Sequence, residues 1–144
     1  MLTMVNNIQE SDLLMTTKLP YRKNSVYFQY HVTDFSRARK FYGDVLGFEI
    51  AWDMGDDVGW IEYALPVKGA KIGLNLLTEG KVKHGSAKLT LDVTDIEKMK
   101  DYLSSRGVKT DEIVDIPNMV SYFNIKDPDG NPIQIVAEPR VKSE

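Results

Sequence analysis

Tyr27, Gln29 and His31 occupy alternate positions of "VYFQYHV", and 61 residues later Lys88, Thr90 and Asp92 do the same in "KLTLDV". Alternate side chains of an extended strand share one face, so each trio presents a polar row. The chemistry open to these rows is specific. A histidine beside an aspartate is an oriented general base, and the 61-residue spacing sets His31 opposite Asp92; the same two groups also serve as rim residues bonded to each other or to water. A lysine in partly apolar surroundings acts as an amine base or keeps its proton and anchors an anion. Tyr27 offers a hydroxyl for a developing oxyanion or a ring on which a flat ligand rests. Asn75 and Gln134, on strands that end the two halves of the chain, contribute amides to the same lining. Either Trp60 and Glu62 or Ile61 and Tyr63 join it, because the strand phase there is ambiguous. His84, the other histidine, lies in a polar stretch and reads as an exposed loop residue. No catalytic residue is assigned.

The elements that must position these residues are legible as a repeat. Val26, Phe28, Tyr30 and Val32 form the apolar row of the first strand, Thr33-Asp34 supplies a helix cap, and Phe35, Ala38, Phe41, Tyr42, Val45 and Leu46 follow at helical spacing until Gly47 stops the helix. Leu89, Leu91 and Val93, then Thr94-Asp95, then Ile96, Met99, Tyr102 and Leu103, then Gly107, repeat the phrase. The register returns where "GAKIGLNLL" from Gly69 aligns with "GNPIQIVAE" from Gly130. Between helix and last strand each copy holds two further strands, "FEIAWD" and "GWIEYAL" in the first and "VDIP" and "VSYFNIK" in the second, and "DPDGNP" reads as a tight reversal. The expectation is an α+β domain over residues 23–140, built of two βαβββ modules (25–77 and 87–138) with a linker at 78–86. Residues 1–22 read as an N-terminal arm, with an extra helix as the alternative. A helix covers one face of each sheet, so the polar opposite face becomes the lining of a cup in a curved mixed sheet.

Composition narrows the partners. A net charge of −3 over 144 residues lacks the basic field that phosphate-dominated nucleic-acid binding requires. Without cysteine the chain has no disulfide, thiolate nucleophile or thiolate metal ligand. No basic leader followed by an apolar stretch opens the sequence, and no apolar run is long enough to span a bilayer. A cytoplasmic protein without membrane or nucleic-acid partners is expected.

The phrases "VTDFSRARKFYGDVLGFEI" and "FNIKDPDGNPIQIV" resemble the opening and closing signatures of the glyoxalase/bleomycin resistance protein/dioxygenase superfamily, the vicinal oxygen chelate fold. The resemblance covers about residues 25–138. It implies paired modules around a ligand, a divalent metal in many members, and pairing of modules within a chain or across a homodimer; a homodimer is expected. It places the metal-ligand register at Tyr27, Gly73, Lys88 and Gln134. Glycine has no donor atom, lysine would have to shed its proton beside a dication, and glutamine is a weak neutral ligand. The expectation is therefore a cup without metal or other cofactor that binds a small organic molecule, lined by Tyr27, Gln29, His31, Asn75, Lys88, Thr90, Asp92 and Gln134, with sequestration as its purpose. The alternatives are a lactoylglutathione lyase-like, isomerase (epimerase) or dioxygenase activity, either metal-dependent with atypical ligands or metal-independent through Tyr27, His31, Lys88 and Asp92.

Overall fold

A computed structural model describes residues 19–143 of the chain. Strand β1 (Val26–Val32) leads into helix α1 (Phe35–Arg39), whose first turn is capped by the Asp34 carboxylate accepting the Arg37 N–H at 3.0 Å. The helix widens into a π-helical segment, Lys40–Val45, that the alternation of apolar residues did not foretell. Its wider turn brings the adjacent Phe41 and Tyr42 both inward, and Leu46 N–H closes it on the Phe41 carbonyl at 2.9 Å. Strand β2 (Glu49–Asp53), a short helix α2 (Gly55–Val58), β3 (Trp60–Ala64) and β4 (Ala70–Leu76) complete the first unit. The second repeats it: β5 (Leu89–Asp92), α3 (Ile96–Ser105) capped by Asp95 on the Lys98 N–H at 3.0 Å, then β6 (Val114–Ile116), β7 (Val120–Lys126) and β8 (Pro132–Ala137). The arm expected over 1–22 falls for the most part outside the described residues.

Each unit is a four-stranded mixed sheet, in order β1-β4-β3-β2 and β5-β8-β7-β6, with the first and last strands of a unit parallel and the other pairs antiparallel. A parallel pair needs a long crossover, which the helix and the intervening hairpin supply. The chain is thus α+β as expected, but its sheets stay separate and do not close on one another. Side chains make the joints between them. The Tyr30 hydroxyl donates to the Pro132 carbonyl and accepts the Leu89 N–H, the Asn131 amide donates to the His31 carbonyl at the free edge of β1 (2.8 Å), and the Tyr42 hydroxyl donates to Asp127 (2.7 Å).

One hydrophobic core runs through both units: Tyr30, Val32, Ile61, Tyr63, Ile72 and Leu74 from the first sheet meet Leu89, Phe123, Ile125, Ile133 and Ile135 from the second, with Phe35, Phe41, Tyr42, Ile96 and Leu103 from the helices. Burial of each large side chain stabilises by about 1.5–3 kcal/mol. The reversal at 127–132 is held from inside. Asp127, buried at 4% exposure, accepts the N–H groups of Asp129 (3.0 Å) and Asn131 (2.8 Å), the Asn131 amide (2.9 Å) and the Tyr42 hydroxyl. Burial, and the Asp127 charge beside it, push the Tyr42 phenol far above its ordinary pKa. Tyr102 departs from the helical-stripe expectation. It is 38% exposed, because its hydroxyl reaches the Val45 carbonyl at the end of the π-helical segment (2.6 Å) and Arg106 donates to it from outside (3.1 Å).

Candidate functional site

On the side of the first sheet away from the core, β1 presents Tyr27, Gln29 and His31. In register beside them β4 presents Lys71, Gly73 and Asn75, and β3 presents Trp60 opposite Asn75 and Glu62 opposite Gly73. Edge strand β2 adds Trp52 opposite Glu62. The open question of phase is thereby answered. Ile61 and Tyr63 are buried in the core, at 0% and 2% exposure, so Trp60 and Glu62 belong to the outer face.

The Trp60 indole lies over Gly73: a methyl group added there would meet the ring's Cη2 at 2.2 Å. The glycine that occupies a metal-ligand register is therefore the floor for an aromatic ring. The indole Nε1–H donates to Glu62 Oε1 at 3.2 Å, and Lys71 Nζ stands 3.7 Å from Oε2 of the same carboxylate and 4.9 Å from the centre of the Tyr27 ring. Glu62 is 4% exposed. A carboxylate so far from water needs a donor and a counter-charge, and Trp60 and Lys71 supply one each. Next to them the Asn75 amide donates to Gln29 Oε1 at 2.8 Å, which sets both amides in orientation. The result is a surface of three aromatic rings around one buried acceptor, with polar groups along its border.

The second sheet's outer face carries Thr90 opposite Gln134 and Asp92 opposite Val136, with Asn124 beside Gln134 on β7. Gln134 Nε2 donates weakly to Asn124 Oδ1 (3.4 Å), and Asn124 in turn donates through its Nδ2 to Asp111 (3.2 Å) and through its backbone N–H to the same carboxylate (2.6 Å). His31 and Asp92 are both exposed, and among the described residues no ion pair or hydrogen bond links them. Lys88 is exposed in the wall of a separate cavity beside Phe41, Val108 and Ile125. His84 is exposed, with its imidazole over Gly130. The two outer faces do not enclose a common chamber: Tyr27 is 47% and Trp52 54% exposed, and Gln29, Thr90 and Asp92 are exposed as well.

Tyr27, Gln29 and Asn75 thus come together on one face, and Thr90, Asp92 and Gln134 share the other. Sequence reasoning missed Trp52 and Lys71 and left Trp60 and Glu62 undecided. Lys71 was within reach, since it lies two residues before Gly73 on a strand whose phase was known. Trp52 was not, because a register shift between Ile50 and Trp52 breaks the alternation.

These donor sets do not fit a divalent cation. Among the described residues no three His, Asp or Glu side chains converge as a metal site requires. At the register positions stand a phenol, a glycine roofed by indole, a lysine and an amide.

Comparison with known proteins places the architecture. The family model for the Glyoxalase/Bleomycin resistance protein/Dioxygenase superfamily matches residues 25–135. YetH of Bacillus subtilis (strain 168), an uncharacterized protein, is 29% identical over 109 residues, which is 70% of this chain and 87% of YetH. Among solved structures, a member of the same superfamily from Sphaerobacter thermophilus DSM 20745 superposes with a TM-score of 0.68 at 23% identity, covering 85% of this chain and 100% of that one. TnmS3, an antibiotic binding protein from Streptomyces sp. CB03234, gives 0.67 at 22% identity, covering 85% and 98%. At such identities the two structures speak for the fold.

Proposed function

The chain belongs to the glyoxalase/bleomycin resistance protein/dioxygenase superfamily, and on that footing we propose that it binds a small organic molecule with a flat ring system, without a metal ion, and holds it rather than converts it. The observation that carries this reading is Trp60, whose indole packs against Gly73 and is tethered through its N–H to the buried Glu62. An aromatic ring fixed in this way offers stacking area at little entropic cost, and Glu62 and the Gln29–Asn75 pair offer acceptors and donors that orient what stacks there. The likeness to an antibiotic binding protein agrees with the reading. In an isolated chain this face is open, and we take its completion to be the work of a second copy, so that the ligand is enclosed in a homodimer.

Both tryptophans of the chain, Trp52 and Trp60, stand on the proposed face. Their fluorescence therefore reports occupancy directly. A panel of polycyclic antibiotics and aromatic catabolites should contain compounds that quench the emission saturably and raise Tm, and Trp60→Ala should abolish both effects. Recovery of the ligand intact after long incubation supports holding. Its conversion to product, or a full equivalent of divalent metal per chain whose removal by chelator ends binding, would overturn the proposal.

A further inference from the structure

A cavity of about 540 Å³ opens at the seam between the two units. It is bounded by Phe41 of the π-helical segment, by residues 107–111 following α3, by the end of β7 and by the 127–132 reversal. Its volume lies within the roughly 300–1,000 Å³ typical of small-molecule sites. The lining is uneven in a way that selects a ligand. Phe41, Val108, Ile125, Pro128 and Pro132 give it apolar surface, and Lys88, Lys109 and Lys126 belong to the same lining.

The two carboxylates of the lining are already engaged with the framework. Asp111 accepts the backbone and side-chain N–H groups of Asn124, and Asp127 accepts four hydrogen bonds from Tyr42, Asp129 and Asn131. None of the three lysines takes part in an ion pair among the described residues. On a chain with a net charge of −3, a lining with three lysines against two carboxylates, both of which are turned to donors of the framework, carries a small local excess of positive charge. Such a site attracts a compact anion whose body prefers to leave water.

We infer that this seam cavity is a second binding site, distinct from the aromatic face, for a small organic carboxylate with an apolar ring or chain. The apolar body lies against Val108, Ile125 and Phe41, and the carboxylate turns outward to the lysines. Because the lysines are exposed, their contribution is screened by salt. Because Phe41 comes from the first unit and the rest from the second, occupancy also fastens the two together.

The probe is cyclohexanecarboxylate, whose saturated ring cannot stack on the aromatic face, with cyclohexanemethanol as its neutral counterpart, titrated calorimetrically into the full chain at low and at high salt. Cyclohexanecarboxylate should bind at least about tenfold more tightly than the alcohol at low salt, with the gap narrowing as the Debye length shrinks. The double variant Lys109→Gln/Lys126→Gln should erase the preference while retaining the weak apolar binding, and Val108→Trp should block both ligands with the thermal transition preserved. Trp60→Ala, which strips the aromatic face, should leave binding of this saturated carboxylate unaltered. Equal affinity for acid and alcohol overturns the inference, as does a preference that survives the double lysine variant. Loss of cyclohexanecarboxylate binding in Trp60→Ala would assign the ligand to the aromatic face instead and likewise refute the second site. Failure of the aromatic-face proposal is read separately, from tryptophan quenching.

Discussion

Gly73 has ordinary backbone dihedrals and is needed for space alone, since the Trp60 ring occupies the place of its missing side chain. Gly73→Ala is expected to displace the indole, red-shift the tryptophan emission and cost about 1–3 kcal/mol in urea unfolding, the usual penalty for overfilling a packed contact. Ligand quenching should weaken with it. Glu62→Gln tests the neighbouring interaction from the other side. The amide oxygen still accepts the Trp60 N–H, but Lys71 loses its counter-charge, so ligands bearing a hydrogen-bond donor should lose about tenfold in affinity while purely apolar flat ligands do not. If both classes weaken equally, Glu62 supports the fold and does not contact the ligand.

At the scale of elements, the joint between the π-helical segment and the 127–132 reversal is the most exacting contact. Tyr42→Phe removes the hydroxyl that Asp127 accepts and leaves a buried carboxylate short of one donor, so a destabilisation of about 1–3 kcal/mol is expected in denaturant unfolding. The equivalent helix caps should be worth less: Asp34→Ala and Asp95→Ala are each expected to cost about 1 kcal/mol. Near the chain end, Arg140 clasps Asp115 of β6 through Nε (3.0 Å) and Nη2 (2.7 Å) and donates to Glu97 of α3 at 3.0 Å. The guanidinium, with the Ser121 hydroxyl, holds the Asp115 carboxyl down to about 2. A carboxylate whose pKa is lowered by folding stabilises above its unfolded pKa, about 3.9, and that contribution disappears as pH falls through 2. The Tm difference between the wild-type chain and Arg140→Ala should accordingly be full at pH 5 and shrink steadily between pH 4 and 2. A difference independent of pH over that range would mean that Arg140 acts by packing.

At the scale of the molecule, each sheet ends in an edge strand with apolar residues in water: Ile50 and Trp52 on β2 are 51% and 54% exposed, and Val114 and Ile116 on β6 are 42% and 40%. Met119, at 73% exposure, adjoins β6. Open edges of this kind invite pairing with another chain. Light scattering on the full chain should give twice the monomer mass, and Ile116→Glu should shift it to monomer and weaken flat-ligand binding together. A monomeric wild-type chain with undiminished binding would separate the ligand face from any need for a second copy.

Local rules sufficed for the repeat. Alternation, two aspartate caps and two glycine stops announce β-α-β-β-β twice, because the period of a strand, the orphan N–H groups of a helix start and the left-handed turn at a helix end are properties of a few neighbouring residues. They also sufficed to turn Tyr27, Gln29 and Asn75, and Thr90, Asp92 and Gln134, away from the helices, but the single cup that all of them were expected to line is divided between the outer faces of two sheets. Tertiary structure alone decided that Trp60 covers Gly73, that Glu62 is buried between Trp60 and Lys71, that Lys88 faces a seam cavity, and that the sheets remain two. Those outcomes depend on a bulge in β2, on a π-helical turn and on contacts between residues as far apart in sequence as Tyr30 and Pro132, where a one-residue change of register exchanges the buried face of a strand for the exposed one.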